Sequence, residues 1–455
     1  ATQLFQLDEE LEKIIRDPDA RKIAPREMQR FIDAVVESPH ASRTLKEHLR
    51  KKLPRQAEPL RNAKEKLVKP GDPSCRRLRC YAFDPSLSRQ LDTAQMNEIV
   101  VDVPWEDLEQ GPVGEYLEVI DHDPASGCFY GPVNLSDPKL LATDGMPPSE
   151  GNPNFHQQMV YAVGMRTIQN FEVALGRKAE WSPHMREGRK KDDRYVQRLR
   201  IYPHALRESN AYYHPDKKAL LFGYFPASDR RSSNVVFTCL SHDIIAHEMS
   251  HALLDGMHRE FNREGNADML AFHEAFADLV ALFQHFSLPG VLNHQLAKTR
   301  GDLQTQNLLG ELAQEFGQET ESRRALRDAI GDYTKDGWQL KQPDPELISN
   351  EFEPHARGSI LVAAVFNAFI RIYNRNTADL IRIATGGTGV LPAGSLHPDL
   401  VNRLAREASS AAAHVLRMCI RALDYCPPVD VDFGDFLRAL ITADFEVLPN
   451  GDPAY

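Results

Sequence analysis

Cysteine is scarce in this chain: six among 455 residues, at positions 75, 80, 128, 239, 419 and 426. That number describes no disulfide scaffold, although Cys75 and Cys80 are close enough to pair in an oxidising compartment. No Cys-x-x-Cys pair occurs, so spacing does not suggest a cysteine-based zinc site. Long apolar runs are also missing, and the sequence predicts no membrane-spanning segment. A net charge of −11 argues against a nucleic-acid surface. The basic run Arg189-Lys190-Lys191 meets Asp192-Asp193 at once and reads as a solvated loop. Thr385-Gly386-Gly387-Thr388-Gly389 has no Gly-Lys-Ser/Thr after it, which leaves a loop rather than a phosphate cradle. No repeat or low-complexity tract is visible. The opening residues, Ala1 to Glu10, lack the basic and apolar segments of a signal peptide.

What remains is an ordinary globular composition, 42% hydrophobic and 26% charged, long enough for several domains. Helical spacing of Leu4, Leu7, Leu11, Ile14 and Ile15, and of Phe31, Val35 and Val36, predicts helices over 4–67. Lys69-Pro70-Gly71-Asp72-Pro73 breaks them. Short β-rich runs follow at Ile99–Val103 and Tyr116–Ile120. A strong helix is expected from Phe155 to Leu175, closed by Gly176. Strands are expected at 199–202, 210–213 and 219–225, the last two joined as a hairpin through Pro215-Asp216-Lys217. From Ser241 onward the chain reads as mostly helix. These patterns divide it into an N-terminal helical region (1–75), a β-rich region (76–150), a region of strands and chemistry-bearing helices (151–286) and a mainly helical C-terminal domain (287–455).

The chemistry concentrates in Asp243-Ile-Ile-Ala-His247-Glu248-Met-Ser-His251-Ala-Leu-Leu-Asp-Gly256. His247 and His251 share one helix face, one turn apart, and can donate to one zinc ion. Glu248 lies between them, placed to contact a zinc-bound water, and Gly256 is expected to stop the helix. A catalytic zinc wants a third protein ligand and an open position. A second helix, starting near Asn266 or Asp268 and running to about Phe286, carries Glu274 and Asp278 on one face. Glu274 can reach the metal while Asp278 accepts a hydrogen bond from a ligating imidazole. Ala271, Ala277 and Ala281 would let the two helices pack closely. His273 competes as a ligand, but it points about 100° away from Glu274 around the helix.

His-Glu-x-x-His followed by a distal Glu-x-x-x-Asp resembles the gluzincin metallopeptidases, thermolysin-like neutral proteases above all. The resemblance extends over roughly 155–445. Phe155–Arg177 resembles the helix preceding that family's active-site sheet. Asn210-Ala211-Tyr212-Tyr213 is similar to its edge strand, which implies substrate-backbone contacts for Asn210 and Ala211. Ala325-Leu326-Arg327 is similar to a segment whose arginine contacts substrate, and Pro354-His355 to one whose histidine stabilises the oxyanion. The resemblance implies an α+β zincin fold with an active-site sheet, zinc-binding helices and a helical C-terminal domain. It also implies a zinc endopeptidase acting on peptides or proteins, with Glu248 as general base. Two departures stand out. Where the family's double calcium site has a further acid, this chain has His285, so that double site is not expected despite Asp243, and calcium itself is left open. No tyrosine lies between His251 and Glu274 to assist the oxyanion histidine.

Plainer readings stay open for the auxiliary residues. His355 could be a helix-cap histidine, Arg327 part of a solvated face with Arg323 and Arg324, and Asn210 a turn residue. Rival functions are a zinc aminopeptidase, against which no Gly-x-Met-x-Asn segment is found, and an inactive zinc-containing interaction protein. Neither nucleic acid nor membrane is expected as a partner. The missing leader and calcium ligands lean cytoplasmic, whereas the resembled family is usually secreted.

Overall fold

The computed structural model describes residues 72–447, apart from 84, 86–87, 89–96, 185–194, 228–234, 263–264, 305–329, 335–336 and 343. The helices expected over 4–67, the basic run at 189–191 and Arg327 lie outside the described residues. Pro73–Tyr455 form one compact, helix-rich unit of mixed α and β structure, with a mixed sheet.

An antiparallel pair opens it, β1 (Cys75–Tyr81) with β2 (Glu98–Pro104), in register Cys75↔Pro104. The central sheet combines β3 (Leu117–Val119), β6 (Leu199–Leu206), β7 (Ala211–His214), β8 (Ala219–Pro226) and β9 (Val235–Phe237). β3, β6 and β8 run parallel, and β7 closes one edge antiparallel to β8, Tyr213 facing Leu220. Small pairs are formed by β4 (His122–Asp123) with β5 (Cys128–Phe129), and by β10 (Gly331–Thr334) with β11 (Gly337–Leu340).

The helices begin where the sequence caps them. After the short α1 (Pro138–Ala142) comes α2 (Pro153–Leu175). The side chain of Asn152 accepts from the Asn154 amide, Pro153 needs no amide partner in the first turn, and Gly176 ends the helix at φ 67°. α2 is buried nearly all round from Phe155 to Ile168, which makes it the central helix of the core. α3 (His242–Met257) starts at Ser241, and α4 (Ala267–Phe286) at Asn266, whose side chain accepts from two backbone amides. α5 (Pro289–Lys298), α6 (Pro354–Ala384), α7 (Pro398–Ala422) and α8 (Phe433–Val447) complete the unit.

Gly256 does not stop α3, which continues to Met257. It is a packing residue instead: a Cβ there would stand 2.1 Å from the Glu180 carbonyl oxygen. α6 also departs from the expectation of no membrane-length apolar segment. By length and composition it could cross a bilayer, yet 67% of its apolar stretch is buried inside the fold. It is a core helix, and Phe366 and Phe369 interlock there with Phe283 and Phe286 of α4. Of the three small residues on α4, Ala271 lies at the crossing with α6, where a Cβ on Gly358 would meet its carbonyl oxygen at 2.7 Å. One apolar core runs from Leu78 to Ala443. All six cysteines are free thiols.

Candidate metal centre

Three elements converge on one point. α3 supplies His247, Glu248 and His251. α4 supplies Glu274 and Asp278, and the first turn of α6 supplies His355. The Nε2 atoms of His247 and His251 are 3.0 Å apart. Oε2 of Glu274 lies 3.4 Å from the first and 3.6 Å from the second. The three side chains are only 12%, 11% and 22% exposed.

Hydrogen-bond chemistry makes this cluster unusual. Oδ1 of Asp278 takes the Nδ1 side of His247 at 2.9 Å, which leaves Nε2 of that ring to face the cluster. It faces a second imidazole nitrogen and a carboxylate oxygen, a set that protons link when no metal is bound and that a metal would take over by displacing them. A divalent cation satisfies all three. Zinc–ligand bonds of about 2.0–2.2 Å at tetrahedral angles would place ligand atoms about 3.3–3.5 Å apart, close to the spacings seen. Among the described residues, nothing hydrogen-bonds the buried Nδ1 of His251. The donor set, two imidazoles and a carboxylate, suits zinc.

Without a metal, a proton takes the cation's place. Burial works against a charge on His247, but its hydrogen bonds to Asp278 and Glu274 prevail and lift it from 6.5 to about 10. Burial would raise Glu274, yet His251 and His247 hold its carboxyl well below the usual range. Glu248, Glu274 and Asp278 together create a negative potential that favours a cation at this point.

Around this centre, the Tyr213 amide donates to Glu248 Oε2 at 3.0 Å. β7 therefore fixes the carboxylate that sits between the two histidines. Tyr213 and Lys218 both place their side-chain donors 2.7 Å from Asp255 Oδ2, tying the β7–β8 hairpin to the end of α3. Sequence reasoning missed this trio. Its only signal was an acid two turns beyond His247 and a lysine in the hairpin turn. His355 is brought beside the cluster, with Nε2 3.4 Å from Glu274 Oε2. Its Nδ1 lies 2.9 Å from Glu353, whose carboxylate also caps α6 through the His355 and Ala356 amides. His355 thus lies both in the capped first turn of α6 and beside the cluster, with Glu353 contacting its ring and its amide.

Asn210 stands exposed just before β7, where its side-chain oxygen accepts from the Ala211 amide at 2.9 Å. The Asn210 carbonyl pairs with Gly223 of β8. Alternation along the strand then turns the backbone groups of Ala211, like those of Tyr213, toward the outer edge. His273 stays out of the cluster and stacks on His251, ring centroids 4.6 Å apart. Burial and the adjacent His251 push it down to about 3, so it remains neutral. Asp243 is engaged by His285, Nδ1 to Oδ1 at 2.5 Å, and the other ring nitrogen of His285 contacts the Ala82 carbonyl. No protein-family model matches this chain, and no curated protein matches it significantly.

Proposed function

We propose that the chain is a zinc-dependent endopeptidase of the thermolysin-like, α+β gluzincin type, with the metal held by His247, His251 and Glu274. The observation that carries this reading is the convergence of those three acceptor atoms at 3.0–3.6 Å beside a carboxylate no ligand set requires, Glu248. Zinc bound there would supply a Lewis acid and lower the pKa of a water toward about 7. Glu248 accepts the proton of the attacking water and passes it to the leaving amine. The Tyr213 amide keeps the Glu248 carboxylate in place for both transfers. In its imidazolium form, His355 gives one N–H to Glu353 and the other to the oxyanion that develops on the substrate carbonyl. An extended peptide adds to the outer edge of β7 and pairs with the backbone of Ala211. Asn210 flanks that edge. Arg327, outside the described residues, keeps its proposed substrate role on resemblance alone.

Replacing Glu248 with Gln tests the reading. The variant should retain its zinc and lose hydrolysis of a quenched peptide library by several orders of magnitude. A metal-loaded wild type that cleaves nothing in that library would establish the inactive, interaction-protein alternative. One that only trims amino-terminal residues would establish the aminopeptidase.

A further inference from the structure

We propose a second, buried metal site formed by His156 of α2, His204 of β6 and Cys239, which lies in the 3-10 turn (Thr238–Leu240) leading into α3. One ligand atom from each lies within 4.8 Å of the other two. All three residues are buried, at 1%, 2% and 0% exposure. None belongs to the first centre.

Counting protons shows why an ion belongs here. Nε2 of His156 faces the Glu150 carbonyl oxygen at 2.9 Å and can only donate to it. Nδ1 of His204 lies 2.6 Å from Oδ1 of Asp121. The other Asp121 oxygen accepts from the Gln157 amide at 2.8 Å, and that amide is fixed by the Val133 N–H on its own oxygen. Both outward ring nitrogens are therefore N–H donors. The inward ones, Nδ1 of His156 and Nε2 of His204, face each other at 2.8 Å. Two ring nitrogens at that distance in a dry interior need a cation between them, either a metal ion or an extra proton balanced by Asp121. A Cys239 thiolate beside them completes two imidazoles and one sulfur. That set suits zinc among the divalent ions and excludes magnesium or calcium. A divalent ion, the thiolate and the Asp121 carboxylate also sum to zero charge, which burial demands.

The fold spends backbone irregularity on this placement. Between Tyr202 and Leu206 the register of β6 against β8 shifts. Pro203 and His204, within that shift, are both buried. Asp121 on His204 and the Glu150 carbonyl on His156 orient both rings from behind, as outer partners of metal-bound histidines do. Phe237 packs against both imidazoles, at 4.7 and 5.5 Å between centroids. The ion would staple α2, β6 and the lead-in to α3 together, a structural role distinct from hydrolysis.

Cobalt substitution of the full chain tests this, because only the second site contains sulfur. Co2+-loaded wild type should show thiolate-to-cobalt charge-transfer absorption. The band should survive in His247→Ala, which disables the first centre, and disappear in Cys239→Ser. Metal analysis should give two zinc equivalents per chain in wild type and one in either variant. Should Cys239→Ser fail to fold, X-ray absorption on cobalt-loaded His247→Ala should still find one sulfur and two imidazole scatterers. Cobalt bound without a charge-transfer band, or a single zinc equivalent in wild type that His247→Ala removes, would overturn the site and leave a proton shared between the rings. A band unchanged in folded Cys239→Ser would overturn it equally.

Discussion

Asp278 touches no substrate in the proposed reaction, yet its oxygen 2.9 Å from His247 Nδ1 decides which ring nitrogen is left for a metal. Asp278→Asn keeps the shape and removes the charge. It should weaken zinc binding by about 10–100-fold, read by competition against a chromophoric chelator. An unchanged affinity would mean that Asp278 is only a neighbour. His242 makes a different prediction. Burial and the nearby His285 push it from 6.5 to about 3, so the native ring is neutral. The unfolded chain, with an ordinary histidine, takes up a proton below about pH 6.5. The stability contribution is complete above that pH and is lost as the pH falls toward about 3. The slope is about 1.4 kcal/mol per pH unit for one such group. Urea midpoints measured from pH 7 to pH 5 should fall, and His242→Gln should fall less steeply. Equal slopes would remove His242 as the cause.

Among the elements, the capped helices were the easiest to read. Asn152-Pro153 and Gly176 bound α2, Asn266 starts α4, and Pro354 starts α6, because capping is a local interaction between a side chain and its own first turn. The β7–β8 hairpin was legible for the same reason. What lay beyond local reading was contact between elements. Gly256 carries the residue type of a helix stop, but the Glu180 carbonyl, distant in sequence, is what requires a glycine there. α6 is apolar enough for a membrane, and only its neighbours make it a core helix. The crossing of α4 and α6 rests on Gly358, one turn from His355. Gly358→Ala should cost about 1–3 kcal/mol of overpacking. By displacing the start of α6 it should also lower kcat more than it raises KM, since the role proposed for His355 is on the oxyanion rather than on ground-state binding. Denaturation and steady-state kinetics on one preparation check both halves.

On the scale of the whole molecule, metal and fold are linked. The ligands of the proposed first centre come from α3 and α4, so zinc held there would bind the folded chain and not the unfolded one. Zinc at a thousandfold excess over its Kd contributes about 4 kcal/mol to folding. Stripping zinc with a chelator should therefore lower Tm together with activity, and restoring zinc should return both. A chelated protein with unchanged Tm would show that the convergence of helices needs no metal.

The sequence by itself determined the short-range part of this protein. His247, Glu248 and His251 share a helix face because the helical period dictates it, and Glu274 and Asp278 do so for the same reason. That the two faces meet, that His355 arrives beside Glu274, and that Tyr213 lends its amide to Glu248 were decided by packing between distant segments. The His156–His204–Cys239 cluster marks the limit most clearly. Its ligands come from a helix, a bulged strand and a turn, with no fixed spacing between them, and only the folded chain brings them within one ion's reach.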